Sequence, residues 1–265
     1  MNLRHSAIDI LTTADPALKV AKSHHLAAAW QAGDVERAFD PQQTPPERPA
    51  RPERPVLCRP GNMPRRKASG SAAKRIALLH ALAHIELNAI DLAWDMVARF
   101  GAADLPRAFF DDWIRVGDEE ALHFDLLSRR LQALGAAYGD LPAHDGLWLA
   151  ATETAHDLLA RLAIVPLVLE ARGLDVTPTM IADLQRFGDT ESAAILQRIY
   201  DDEIGHVEIG SRWFHAIAEK RHLVPVDAWQ ELVKRHFRGH LKRPFNTTAR
   251  DTAHLPADFY EPIAG

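Results

Sequence analysis

Residues 118–129 read DEEALHFDLLSR, and residues 201–212 read DDEIGHVEIGSR. In both stretches two acidic residues precede a Glu-x-x-His pair, and both stretches end in Ser-Arg. On a helix, side chains three residues apart lie on one face, so Glu120 with His123, and Glu203 with His206, can each bind one ion. A single such pair is common on a solvated helix face. Two copies in matching frames predict a metal site.

The repeat extends upstream of both stretches. IELNAID at 85–91 and LEARGLD at 169–175 each place a Glu five residues before an Asp. The chain therefore reads as two helical hairpins, in which one helix carries Glu86 or Glu170 and the other carries the Glu-x-x-His pair. In each hairpin the turn lies near the midpoint between the two glutamates, which predicts that they lie level across it.

Apolar residues recur at helical spacing over most of the chain. Helices are predicted at about 16–32, 72–100, 105–134, 147–172, 178–187, 189–221 and 226–239. GLDVTP at 173–178 is expected to interrupt the third main helix, and Pro166 to kink it. Residues 135–146 then form a long crossover, and the residues after 239 form an irregular surface tail.

Eight prolines between 41 and 64 exclude regular helix there and predict an extended arm. The arm is basic, with Arg48, Arg51, Arg54, Arg59, Arg65, Arg66 and Lys67. It is interpreted as a solvated arm packed along an acidic body, with a contact site for an anionic partner as the alternative. The predicted organisation is an N-terminal helix and arm (1–70), a helical bundle (71–222), and a C-terminal helix and tail (223–265).

Composition limits the possible chemistry. Cys58 is the only cysteine among 265 residues, which excludes an internal disulfide and a thiolate-rich metal site within one chain. The net charge of -5 gives no overall basic field, so nucleic-acid binding is not indicated. With no secretory signal and no continuous apolar run of about 18 residues, a cytoplasmic protein without membrane spans is expected.

The arrangement of a Glu on each of two helices and a Glu-x-x-His on each of two others is that of di-iron and di-manganese carboxylate proteins. The chain thus resembles the ferritin-like superfamily. HALAHIELNAIDLAWDMVARF, LEARGLD, MPRR and PFNTTAR resemble, over nearly the whole chain, an uncharacterised bacterial ferritin-like family of unknown function. Over the bundle alone the chain more distantly resembles the di-iron tRNA hydroxylases.

The resemblance implies an all-α fold, a ferritin-like four-helix bundle with a long crossover. It also implies two iron ions, with manganese or a mixed pair as alternatives. The expected metal ligands are Glu86, Glu120, His123, Glu170, Glu203 and His206. In this scheme Glu120 and Glu203 bridge the ions, Glu86 and His123 bind one, and Glu170 and His206 bind the other.

Hard oxygen ligands with some nitrogen suit iron or manganese and O2 chemistry. The expected function is an O2-dependent oxidase or monooxygenase with an unknown substrate and electron donor. The alternatives are an iron-handling ferroxidase and a metal-stabilised scaffold without turnover. A monomer or small homo-oligomer is expected.

Other polar residues have competing interpretations. Glu119, Asp202, Asp91 and Asp175 are candidates to accept the free imidazole N–H of a ligand histidine, or are solvated carboxylates. Glu153 with His156 is a third Glu-x-x-His, but it lies too far from Glu170 along the helix to share its ion. His80 and His84 are expected near the site or bonded to a neighbouring helix. Trp94, Trp113, Trp148 and Trp213 are expected in the core.

Overall fold

The computed structural model describes residues 1–38, 40, 42–58, 71–101 and 104–265. Over these residues the protein is predominantly helical, which confirms the all-α prediction. The strands in this part of the chain are two residues long each. The chain forms two compact units, Met1–Trp148 and Leu149–Gly265, and each contains one of the two predicted hairpins.

The elements of the first unit are α1 (Leu3–Leu11), α2 (Pro16–Ala32), β1 (Leu57–Cys58), α3 (Ala72–Arg99), α4 (Arg107–Ala133) and β2 (Ala143–His144). Helix α5 (Gly146–Glu153) begins at the end of the first unit. The elements of the second unit are α6 (Leu158–Ile164), a π-helical turn (Val165–Glu170), α7 (Ala171–Arg186), α8 (Thr190–Lys220), α9 (Pro225–His236), α10 (Thr247–Thr252), α11 (Ala257–Tyr260) and a 3-10 turn (Glu261–Ile263).

Local capping explains where the predicted helices begin and end. The Asp15 carboxylate accepts a hydrogen bond from Leu18 N at 2.7 Å and caps α2. Gly33 follows the same helix at φ 81°, a conformation that glycine adopts without steric cost. Helix α1 is not predicted by the sequence pattern, and its buried face packs against α3. Its nine residues are too few for a strong periodic signal.

In the first unit, α3 and α4 pack against each other as a hairpin, α1 packs on α3, and α2 packs on α4. The tryptophans predicted to lie in the cores are buried in both units. Helix α3 is long and apolar enough to span a membrane by composition, yet 78% of its apolar window is buried inside the molecule. Such burial is typical of the core helix of a soluble protein, and a cytoplasmic location stays a prediction.

The proline-rich arm runs along the first unit. Arg99 donates to the Pro46 carbonyl at 3.1 Å, and Ala50 N donates to the Leu11 carbonyl at 2.8 Å. β1 pairs with β2 in parallel, with Leu57 opposite Ala143. These contacts favour a packed arm over a free one. Arg59, Arg65, Arg66 and Lys67 of the predicted basic arm lie outside the described residues.

The predicted interruption at 173–178 is wrong, because α7 continues through Gly173 and Pro178. Proline has no N–H to donate to the carbonyl four residues back, which here belongs to Leu174. The Asn246 side-chain amide donates to that carbonyl at 3.1 Å instead, so the helix continues without a buried unsatisfied acceptor.

The third main helix is interrupted about twenty residues earlier, between α5 and α6. Asp157 caps α6 by accepting a hydrogen bond from Leu159 N at 3.2 Å. Arg161, which is buried, donates to the Ala151 carbonyl at 2.6 Å and to Thr154 Oγ1 at 2.9 Å. A buried guanidinium therefore satisfies the end of α5, where a continuous helix had been predicted.

The tail is also more ordered than predicted. It forms α10, α11 and the 3-10 turn, and it inserts Phe259 and Tyr260, 2% and 0% exposed, into the second unit. The Phe259 ring packs edge-on against the buried Trp229 of α9. Short helices of this length give little periodicity, so the sequence read as irregular.

Candidate metal centre

Three predicted ligands lie together in the first unit. Glu86 of α3 and Glu120 and His123 of α4 each offer one donor atom, and these atoms lie within 4.8 Å of one another. His123 Nδ1 is 3.4 Å from Glu120 Oε2 and 3.6 Å from Glu86 Oε2. All three side chains are buried, at 3%, 0% and 0% exposure. This buried Glu/His group could hold a metal ion.

A close approach of the two helices sets this geometry. Gly117 precedes Glu120 by three residues on α4, and a Cβ at this glycine would lie 2.9 Å from Trp94 Cε2 of α3. The indole fills the space where a side chain would stand, and its Nε1 donates to Ser23 Oγ at 2.9 Å. Trp94 thereby fixes the spacing of α3 and α4 next to the ligand triad.

The electrostatics of the triad favour a cation. Burial, and next the negative charge of Glu120, raise the pKa of Glu86 well above its usual value. Glu86 Oε2 is buried and accepts no hydrogen bond within the described part of the chain. A divalent ion at this point would neutralise two adjacent buried carboxylates and supply the missing partner, so the residues fit a metal ion.

The second unit carries the matching pair on α8. His206 Nδ1 is 3.6 Å from Glu203 Oε2, close to the corresponding distance in the first unit, and His206 is 0% exposed. Glu170 is the last residue of the π-helical turn and is half-buried. Within the described residues of this unit alone, Glu170 does not complete a group of three close donor atoms with Glu203 and His206.

The repeat's two aspartates bind basic side chains rather than histidines. Asp91 forms ion pairs with Lys19 and with Arg51, whose Nη1 lies 2.5 Å from Asp91 Oδ2. Asp175 accepts two hydrogen bonds from Arg250, both at 2.8 Å. Each aspartate is 0% exposed as a side chain and anchors a distant segment of its own unit. The sequence does not predict these partners, because Lys19, Arg51 and Arg250 lie 40 to 75 residues away from their aspartates with no pattern linking them.

The remaining candidates have structural partners. His80 Nε2 accepts from Gly139 N at 2.9 Å, and His84 contacts the Tyr138 hydroxyl at 2.8 Å, so both fasten the segment after α4. Glu153 lies 3.7 Å from His236 of α9. Asp202 pairs with Arg198 on its own helix at 2.6 Å.

Comparison with known proteins gives a family without an assigned activity. A family model described as a protein of unknown function (DUF455) matches residues 12–261. An uncharacterized protein of Haemophilus influenzae is 44% identical over 204 residues, which cover 75% of this chain and 70% of that protein. No solved structure matches the chain.

Proposed function

We propose that this chain, which belongs to the DUF455 family of proteins of unknown function, is a non-haem metalloprotein with a binuclear carboxylate–histidine centre. The observation that carries the proposal is the buried group of Glu86, Glu120 and His123, with donor atoms within 4.8 Å. Clustered carboxylates are costly to bury unless a cation or protons neutralise them. The proposal includes the arrangement of the main helices as a ferritin-like four-helix bundle.

The second half of the centre is proposed from the repeat. Glu203 and His206 reproduce the pairing of Glu120 and His123, with Nδ1 to carboxylate distances of 3.6 and 3.4 Å. Glu170 occupies the position in its hairpin that Glu86 occupies in the other. The six side chains together would offer four carboxylates and two imidazoles. When the carboxylates are ionised, their charge balances two divalent ions.

The proposed reaction class is an O2-dependent oxidation of an organic substrate. A bound pair of ferrous ions supplies the electrons and open coordination positions that O2 reduction requires. The chain's own residues would hold and orient the ions, and because Glu120 and His123 are buried, bulk water would be kept away from them. The donor set contains oxygen and nitrogen only, which favours iron or manganese over softer metals.

Metal analysis tests the proposal. Protein loaded anaerobically with Fe²⁺ and freed of excess metal is expected to retain about two ions per chain. Glu120→Gln and Glu203→Gln are expected to lose at least one of them, because an amide neither carries the charge nor bridges two cations. Glu219→Gln removes an exposed carboxylate from the same helix as Glu203 and should retain both ions.

Oxygen consumption on mixing with air separates the functions. The oxidase proposal expects uptake of O2 by the loaded wild type and its loss in both ligand variants. Full metal content in Glu120→Gln and Glu203→Gln would overturn the ligand assignment. Bound metal without O2 uptake would overturn the oxidase and leave a metal-stabilised scaffold. Accumulation of many irons per chain would overturn it in favour of iron handling.

A further inference from the structure

The π-helical turn of the second unit rests directly on the backbone of α8. A Cβ placed at Gly210 would lie 2.6 Å from Pro166 Cγ and closer still to Pro166 Cβ. Carbon atoms pack comfortably at about 3.5–4.0 Å, so any side chain at 210 would have to push the proline away by roughly 1 Å. A proline ring cannot rotate aside, because its atoms are fixed to the backbone. The turn itself would therefore have to move.

Pro166 is coupled to Glu170 through the backbone. The N–H of Ala171, the residue after Glu170, donates to the Pro166 carbonyl five residues back. This hydrogen bond closes a ring of main-chain atoms that includes Glu170. A displacement of Pro166 is thus carried to the glutamate rather than absorbed between them.

The register of the hairpin places this contact one turn from the proposed ligands. Gly210 lies four residues after His206 on α8, and Pro166 lies four residues before Glu170. Helices joined by a tight turn run antiparallel, and α8 packs against both the π-helical turn and α7. Four residues back from Gly210 is His206, and four residues forward from Pro166 is Glu170. Because the two segments run antiparallel, Glu170 therefore lies level with His206.

We propose that Gly210 is a positioning residue for the metal centre: by admitting Pro166 to the α8 backbone, it sets the distance between Glu170 and the Glu203–His206 pair. This inference rests on the proposed function. The ligand class is a divalent transition-metal ion at the half of the centre built from the second unit. Glycine is required here for close approach, since Gly210 is within a helix and has no positive φ.

Titration of the metal-free protein with Co²⁺ tests the role, because the visible absorption of Co²⁺ reports the geometry of each bound ion. Wild type is expected to take up about two equivalents. Gly210→Ala is expected to bind the first equivalent normally and the second roughly 10–100-fold more weakly, with an altered spectrum. Gly205→Ala is the matched control, because a Cβ at this glycine of the same helix meets no atom within 4 Å. It should titrate as wild type.

Rescue distinguishes positioning from general damage. Pro166→Gly removes the ring, leaves the turn without its support, and is expected to weaken the second equivalent as well. In the double variant Gly210→Ala/Pro166→Gly, the new methyl group takes part of the space left by the ring. The second equivalent and its spectrum should return towards wild type, although each single change weakens binding.

Unchanged second-equivalent binding in Gly210→Ala overturns the inference. Should that variant fail to fold by circular dichroism, unchanged binding in Pro166→Gly overturns it equally. A double variant that binds no better than the single variants also overturns it. A wild type that takes up no Co²⁺ would instead overturn the proposed function, so the two failures are distinguishable.

Discussion

At the scale of single residues, the Glu and the Asp that recur five residues apart in the two hairpins have different roles. Glu86 lies in the candidate centre and Glu170 is proposed as its counterpart, whereas the aspartates five residues later bind Lys19 and Arg51 in one unit and Arg250 in the other. A charge that is fully buried needs a partner of opposite sign, since desolvation costs several kcal/mol per ion. The aspartates are thus structural anchors.

Removing the Asp91 carboxylate is the first test at this scale. Asp91→Ala leaves the Lys19 ammonium, 1% exposed, with the Ala50 carbonyl at 3.3 Å as its remaining acceptor among the described residues. We expect the free energy of unfolding to fall by about 3–5 kcal/mol. Urea denaturation of the metal-free protein measures it.

The double variant Lys19→Met/Asp91→Asn is the control, because it removes both charges of the buried Lys19–Asp91 pair with little change in volume and leaves the partly exposed Arg51 with Asn88 Oδ1 as an acceptor at 2.6 Å. It should unfold at a higher urea concentration than Asp91→Ala. Equal stability of Asp91→Ala and wild type would show that the pair is not a structural anchor.

At the scale of elements, helix position was predictable and helix continuity was not. α2 and α8 follow from strong local signals, an Asp cap at 15 and at 189 before a periodic run. Continuity through Pro178 depends on Asn246, which lies 72 residues after Leu174. A local rule for proline cannot include a hydrogen bond supplied by a remote segment.

A double-mutant cycle between Asn246 and Pro178 tests how α7 continues through the proline. Asn246→Ala removes the amide that donates to the Leu174 carbonyl at 3.1 Å and to the Tyr200 hydroxyl at 2.9 Å, and it also removes the cap of α10. We expect a loss of about 2 kcal/mol in thermal or urea unfolding.

Pro178→Ala restores an N–H that can donate to the same Leu174 carbonyl. It should therefore cost less in the Asn246→Ala background, or stabilise it, with a coupling of about 1 kcal/mol. Strict additivity of the two changes would contradict this account of how α7 passes through the proline.

At the scale of the molecule, the repeat predicted two helical hairpins, and each compact unit contains one of them. Glu86, Glu120 and His123 could be grouped from the sequence because a metal site requires ligands at helical spacing. The packing of the arm and the tail onto the helices could not be predicted, because it depends on ion pairs between segments that are far apart in the sequence. Nor could the π-helical turn, because residues 158–169 are almost all apolar, so a one-residue shift in the helical pattern leaves no visible change in the sequence.

Metal removal is the test for the whole molecule. If the proposed centre binds ions only in the folded state, saturation at about 100 times Kd stabilises the protein by roughly 3 kcal/mol per site. We expect chelation to lower the midpoint of thermal unfolding by several degrees, and added Mn²⁺ or anaerobic Fe²⁺ to restore it. Scanning calorimetry measures both.

The variant Glu120→Gln makes this test sharper, because the sign of its effect on the unfolding temperature should depend on whether metal is bound. Without metal it should unfold at a higher temperature than wild type, because the repulsion between Glu86 and Glu120 is gone. With metal it should gain little, so the order of the two proteins reverses. A wild type whose midpoint ignores both chelator and metal would contradict the proposed centre.

The pairing of Asp175 with Arg250 also constrains when the protein can mature. The two residues are 75 positions apart, so a ribosome must add many more amino acids after Asp175 before its partner exists. Until Arg250 has left the ribosome, burying the Asp175 carboxylate is unfavourable, and the α7–α8 hairpin lacks the ion pair with Arg250. The ion pair between Asp175 and Arg250 can therefore form only after synthesis has passed residue 250, and a nascent chain stalled before that residue lacks it.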